Sequence, residues 1–120
     1  MHELKVTENI LAIALRHAAQ ADASQITDLY LVVGELASIV DESVQFYWDF
    51  ISQETIASGA TLHFRHVPAQ MQCQLCCQVY SPGTWLTCPT CGGSNISIID
   101  GEQFFLEAIE VASSEAGVVA

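Results

Sequence analysis

Two cysteine pairs constrain this chain more than any other stretch: Cys73-Gln74-Leu75-Cys76 and Cys88-Pro89-Thr90-Cys91, separated by an eleven-residue arm from Cys77 to Thr87. A two-residue gap lets one tight turn aim both thiolates at a single ion, and two such turns make a tetrahedral four-sulfur site. Gly92, with Gly93 beside it, can take the positive φ that the turn after Cys91 needs. All 5 cysteines of the chain fall between positions 73 and 91. An odd count, paired spacing and no visible secretory signal speak against two disulfides. Zn2+ is the commonest occupant of such a site, with iron in a rubredoxin-like setting as the alternative. Four cysteines fill a tetrahedral shell and leave no position for water or substrate, which argues for a structural ion.

Cys77 leaves two arrangements open. It replaces Cys76 as a ligand after a shift of the turn, or it stays a free thiol near the metal. The spacing favours Cys73, Cys76, Cys88 and Cys91.

Charge narrows the partners. Only Lys5, Arg16 and Arg65 oppose fourteen acidic residues, for a net charge of −11 at pH 7. Zinc ribbons that grip nucleic acid do so with lysines and arginines, and here repulsion from phosphates dominates. Nucleic acid is therefore not expected as a partner, whereas cations and proteins are. The apolar run Ile10 to Leu15 is too short to span a bilayer, so no membrane role and a cytoplasmic location are expected.

With 51% apolar residues in 120, there is material for a true core outside the cysteine loop. From Leu4 to Ala21, Leu4, Ile10, Leu11, Ala14, Leu15 and Ala18 recur at helical intervals on one face. Asp22-Ala23-Ser24 breaks the pattern, and Ile26 to Val33 reads as a strand, central in its sheet. Asp41-Glu42-Ser43 supplies acids and caps for a second helix, about Asp41 to Glu54. Its aromatics, Tyr47 and Trp48 with Phe46 and Phe50, read as packing against the sheet. Ala60 to Val67 alternates as a half-buried strand and Pro68 opens the cysteine module. Ser94 to Ile99 and Gln103 to Val111 read as further strands.

The expected fold class is α+β, two helices on a three-stranded sheet with an inserted four-cysteine zinc-ribbon module. Residues 1–68 plus 100–113 form one domain, 69–99 the zinc domain, and 114–120 a flexible tail. Strands 60–67 and 103–111, which enter and leave the module, are expected to pair as neighbours.

Met1-His2-Glu3, Gly34-Glu35-Leu36, the cysteine quartet with its arm, and Gly101-Glu102 before Ile109-Glu110-Val111 together resemble the HypA/HybF family, the nickel metallochaperones of [NiFe]-hydrogenase maturation. The likeness covers residues 1 to about 111. It implies that His2 is the essential Ni2+ ligand, that Glu3 tunes the site or meets a partner, and that Asp41 or Glu42 lies nearby as an oxygen ligand. It implies that Cys73, Cys76, Cys88 and Cys91 hold structural Zn2+. It also implies a HypB-like GTPase and a hydrogenase large-subunit precursor as partners, and leaves room for a homodimer. Cys77 departs from the family pattern, as does the aromatic pair Phe104-Phe105. The residues themselves suit nickel. The α-amine, two backbone nitrogens and the His2 imidazole can form fused chelate rings, a nitrogen-rich plane that Ni2+ favours. An ordinary exposed terminus with a chance histidine is the plainer alternative.

Delivery rather than catalysis is expected, since no nucleophile–histidine arrangement or phosphate-cradling glycine loop is visible. A zinc-ribbon interaction module without nickel is the competing reading. A redox protein using Cys77 is a third. His17, His63 and His66 read equally well as surface or sheet residues.

Overall fold

Five residues, Thr7, Ile10, Leu11, Ala14 and Ala18, form the buried stripe of the first helix, α1 (Glu3–Gln20), at the three- and four-residue spacing that puts them on one face. Leu4, expected on that face, is substantially exposed. In the computed structural model, which describes residues 3–82 and 87–113, α1 ends in a left-handed turn. Asp22 has φ 55°, Ala23 N–H donates to Ala18 O at 3.0 Å and Asp22 N–H to Ala19 O at 3.1 Å. That is a Schellman cap with aspartate in the place usually held by glycine.

Strand β1 (Gln25–Gly34) buries Ile26, Leu29, Leu31, Val32 and Val33. It sits in the middle of a three-stranded sheet of order β2-β1-β6, with β2 at Thr61–Val67 and β6 at Phe104–Ala112. Ser24 N–H donates to Ala112 O at 2.8 Å and Gly34 N–H to Gln103 O at 2.6 Å, so β1 and β6 are antiparallel. On the other side His63 stacks on Tyr30, and Glu35 N–H reaches Val67 O at 2.9 Å, so β2 runs parallel to β1. The expectation that segments 60–67 and 103–111 pair as neighbours is overturned: β1, the most apolar strand, lies between them. Placing β1 in the middle gives both of its edges a neighbour and leaves the more polar strands at the rims.

Helix α2 (Asp41–Ile51) supplies the β1-α2-β2 crossover that parallel neighbours require. Its N-cap is Val40, with no side-chain cap. Asp41 and Glu42 lie in the first turn, where the helix dipole favours negative charge. The helix stops three residues short of Glu54, because Thr55 Oγ1 donates to Ser52 O at 2.6 Å and Glu54 turns left-handed with φ 64°. Val44 and Trp48 are its buried residues. Phe46 and Phe50, expected in the core, are 68% and 72% exposed. They sit two residues on from Val44 and Trp48, about 200° around the helix, and so point away from the buried face.

A second sheet, of order β4-β3-β5, carries the cysteine module. Central β3 (Gln70–Cys73) pairs antiparallel with β4 (Val79–Tyr80) and β5 (Ile96–Asp100). The chain divides into two compact units, one of Met1–Val32, Ile39–Arg65 and Phe105–Ala120 and one of Val33–Ser38 and His66–Phe104. Within the second, a Cβ on Gly34 would lie 2.2 Å from Gly101 O, so backbone approaches backbone where no side chain fits. Glu35 anchors the same junction, its carboxylate accepting the Ala69 N–H at 2.7 Å. Among the described residues no helix is long and apolar enough to cross a membrane.

Candidate metal centre

Cys73 closes β3 and starts the first of two turns that repeat each other bond for bond. In the first, Cys73 N–H donates to Gln78 O at 3.0 Å, Cys77 N–H to Cys73 O at 2.9 Å, and Leu75 N–H to Cys73 Sγ at 3.4 Å. In the second, Cys88 N–H donates to Gly93 O at 2.8 Å, Gly92 N–H to Cys88 O at 2.8 Å, and Thr90 N–H to Cys88 Sγ at 3.4 Å. The residue after each second cysteine is left-handed, Cys77 at φ 65° and Gly92 at φ 75°. The two-residue gap thus produces a turn whose own amides point at the leading sulfur.

The turns bring Cys73, Cys76, Cys88 and Cys91 together with all four sulfurs within 4.8 Å of one another. The Cys73–Cys91 and Cys76–Cys88 sulfurs are 3.5 Å apart. A tetrahedron of Zn–S bonds of about 2.3 Å has edges of about 3.8 Å, so this donor set is close to the size that a four-coordinate zinc requires. Cys77 lies outside the cluster and is exposed. Cys76 is thus the member of the pair placed in the cluster, whereas Cys77, with its left-handed backbone, faces solvent.

The leading and trailing cysteines differ in acidity. The Cys91 N–H, helped by that of Thr90, holds the buried Cys88 thiol down to about 6 against the effect of burial. The Cys76 and Leu75 amides lower Cys73 in the same way. At Cys76 the Gln78 N–H favours the thiolate, but Cys88, burial, Cys91 and Cys73 together push the thiol up to about 12. Cys91 is raised similarly, its Gly93 N–H outweighed by Cys73 and its other surroundings. Within each turn the leading cysteine is therefore the more acidic and the trailing one the less acidic.

The other anticipated residues are dispersed. His2, expected as a nickel ligand, lies outside the described residues, as does Trp85 of the arm. Glu3 opens α1, and its carboxylate accepts the Val40 N–H at 3.4 Å, so it reaches the residue directly before Asp41 and Glu42. This is half of a capping box supplied by another helix. His63 Nε2 is 2.8 Å from Asp28 Oδ2, and its ring stacks on Tyr30 at 4.6 Å. That contact lowers the Asp28 pKa, chiefly through the hydrogen bond with His63. His17 and His66 are exposed. Sequence reasoning missed the anchoring role of Glu35, whose only local signal is its place beside Gly34.

The fold and the cysteine site define a small α+β protein with a four-cysteine group that could hold a metal ion. The comparisons with known proteins make this more specific. A family profile described as "Hydrogenase/urease nickel incorporation, metallochaperone, hypA" matches residues 1–111. A hydrogenase maturation factor HypA of Dehalococcoides mccartyi is 43% identical over 112 residues, covering 92% of this chain and 94% of the relative. One from Caldanaerobacter subterraneus is 39% identical, covering 92% and 99%. The solution structure of the Ni metallochaperone HypA from Helicobacter pylori superposes with a TM-score of 0.67 at 20% identity, covering 95% of this chain and 100% of that one. A second HypA solution structure gives 0.73 at 21% identity, covering 95% and 98%. The chain belongs to the HypA family of nickel-incorporation metallochaperones.

Proposed function

We propose that this chain carries Ni2+ at its N-terminus and delivers it for [NiFe]-hydrogenase maturation, while Cys73, Cys76, Cys88 and Cys91 hold a structural Zn2+. The reading is carried by the family match, which runs from residue 1 and so takes in Met1-His2-Glu3. With Met1 as the free terminus, the α-amine, the backbone nitrogens of His2 and Glu3, and the His2 imidazole would surround the ion. The amides at a helix N-terminus have no intrahelical partner, so α1 does not compete for these nitrogens. The Glu3 carboxylate tunes the site, with Asp41 or Glu42 as an added oxygen ligand; the reach of Glu3 to Val40 supports that placement.

Residues 1–68 with 100–113 take the nickel role and 69–99 the zinc role. The zinc ion when bound supplies no chemistry beyond fixing the two turns, since its four positions are filled by sulfur. Transfer is ligand exchange rather than catalysis: a terminal site can be reached by another protein's donors without opening a core. Protonation of His2 and the α-amine competes with the metal, so nickel affinity falls as pH drops into the histidine range. A HypB-like GTPase and the hydrogenase large-subunit precursor are the expected partners, in the cytoplasm, and the chain works as a monomer or a homodimer.

A second reading, a zinc-ribbon interaction module without nickel transfer, draws on Leu75, which is 69% exposed on the first cysteine turn. Nickel titration of the zinc-loaded protein, followed by calorimetry and absorbance, decides between them. Tight one-to-one binding should be abolished both by His2→Ala and by a Gly-Ser extension before Met1. Equal binding by all three proteins moves nickel elsewhere, and no binding leaves the interaction module.

A further inference from the structure

Phe46 and Phe50 stand one turn apart on α2, 68% and 72% exposed, away from the buried side of Val44 and Trp48. With Tyr47 and Ile51 they form one wall of a groove of about 350 Å3, and Leu4 and Glu8 of α1 form the other. Leu4 is itself 42% exposed, and Glu8 is the only charged residue in the lining. Two phenylalanine rings left in water beside an apolar groove mark a surface that something else covers. The pairs Leu4/Glu8, Phe46/Phe50 and Tyr47/Ile51 are each four residues apart, so both walls are helical ridges, the relief into which a third helix packs.

The rim selects the occupant. Glu42 is four residues before Phe46 and Asp49 three after it, so both acids share its side of α2. Glu8, Glu42 and Asp49 are exposed, and none of them is in an ion pair among the described residues. Across segments 3–15 and 41–54, which supply the two walls, Lys5 is the one cation against Glu3, Glu8, Asp41, Glu42, Asp49 and Glu54. A second copy of the chain would set these acids against themselves, and an anionic lipid surface would meet the same repulsion. A helix whose apolar stripe is flanked by lysines or arginines matches both the floor and the rim.

We propose that the α1–α2 groove docks a basic amphipathic helix of a partner protein. Phe46 and Phe50 pack between its apolar side chains, while Glu8, Glu42 and Asp49 face its lysines or arginines. Leu4 is two residues from His2, so a partner held here stands beside the N-terminus. That this partner gives or takes nickel rests on the terminal nickel site proposed above, whereas the docking itself does not.

The probe is a designed helical peptide with a leucine stripe flanked by lysines. Its controls carry glutamates in place of the lysines, or the same residues with the stripe scrambled. The lysine peptide should bind the full-length zinc-loaded chain one to one and shift the amide resonances of Leu4, Glu8, Phe46 and Phe50 most. That mapping uses the wild type and needs no variant. Phe50→Ser should weaken binding about tenfold, as loss of an aromatic anchor does. Glu8→Lys should weaken it most at low salt. No binding of the lysine peptide, equal binding of either control, or shifts centred elsewhere overturns the proposal. Sedimentation that shows a dimer lost in Phe50→Ser assigns the groove to a second copy, and binding to phosphatidylglycerol vesicles assigns it to a membrane. Either result overturns the proposal as well. Lysine-peptide binding by a chain that takes up no Ni2+ upholds the docking and removes only its link to nickel transfer.

Discussion

The two cysteine turns share one hydrogen-bond pattern and differ most tellingly in the residue that follows the second cysteine. After Cys91 the left-handed position is held by Gly92, and after Cys76 the same position, within 10° in φ, is held by Cys77. A side chain in that region meets its own backbone, at roughly 1–2 kcal/mol. The first turn tolerates this because its other bonds are as complete as those of the second: the leading amide, the leading carbonyl and the leading sulfur are partnered in both. Where a turn is over-determined by its hydrogen bonds and by an ion, one strained residue is carried along. Cys77 therefore marks a position where geometry is imposed by the site rather than chosen by the residue.

The largest test of this comparison removes what the turns have in common. Cys88→Ser takes away the most acidic thiol, and zinc affinity should fall by roughly a thousandfold or more, as measured by chelator competition. Amide exchange should show the β4-β3-β5 strands losing protection, whereas Trp48 and the stripe of α1, buried without help from sulfur, keep theirs. Cys77→Ser, by contrast, should keep full zinc stoichiometry.

A smaller effect is expected from making the second turn resemble the first. A Cβ at Gly92 would meet nothing within 4 Å, so Gly92→Ala isolates the backbone term. It should weaken the zinc-loaded module by about 1–2 kcal/mol, seen as a roughly five- to thirtyfold loss of zinc affinity. The smallest effect runs the other way. Cys77→Gly should relieve the first turn and strengthen zinc retention by about 1 kcal/mol, less whatever the more flexible unfolded chain takes back. If Cys77→Gly instead weakens binding, Cys77 is engaged with the site and the two turns are not equivalent.

Much of this was legible in the chain. The pairs at two-residue spacing pointed to two turns and one centre, and the apolar stripe from Ile10 to Ala18 pointed to α1, because both patterns are local. The spacing favoured Cys76 over Cys77, and Cys76 is the one that lies in the cluster; the left-handed backbone of Cys77 is what no spacing rule carries. Phe46 and Phe50 were misplaced because α2 has apolar residues most of the way around. Composition then says nothing about which side meets the sheet, and the buried side proved to be that of Val44 and Trp48. The missing side-chain cap on α2 was equally invisible, since the Val40 amide is answered by Glu3, far away in sequence.

By itself, then, the sequence determined the α+β class, the four sulfurs and the family, since each depends on periodicity or spacing over a few residues and on a set of short motifs. Only the tertiary structure decided that β1 separates β2 from β6 and that Gly34 and Gly101 meet backbone to backbone. Those outcomes depend on segments distant in the chain being brought together, where burial of the most apolar strand and the exclusion of side chains from close contacts outweigh local preference.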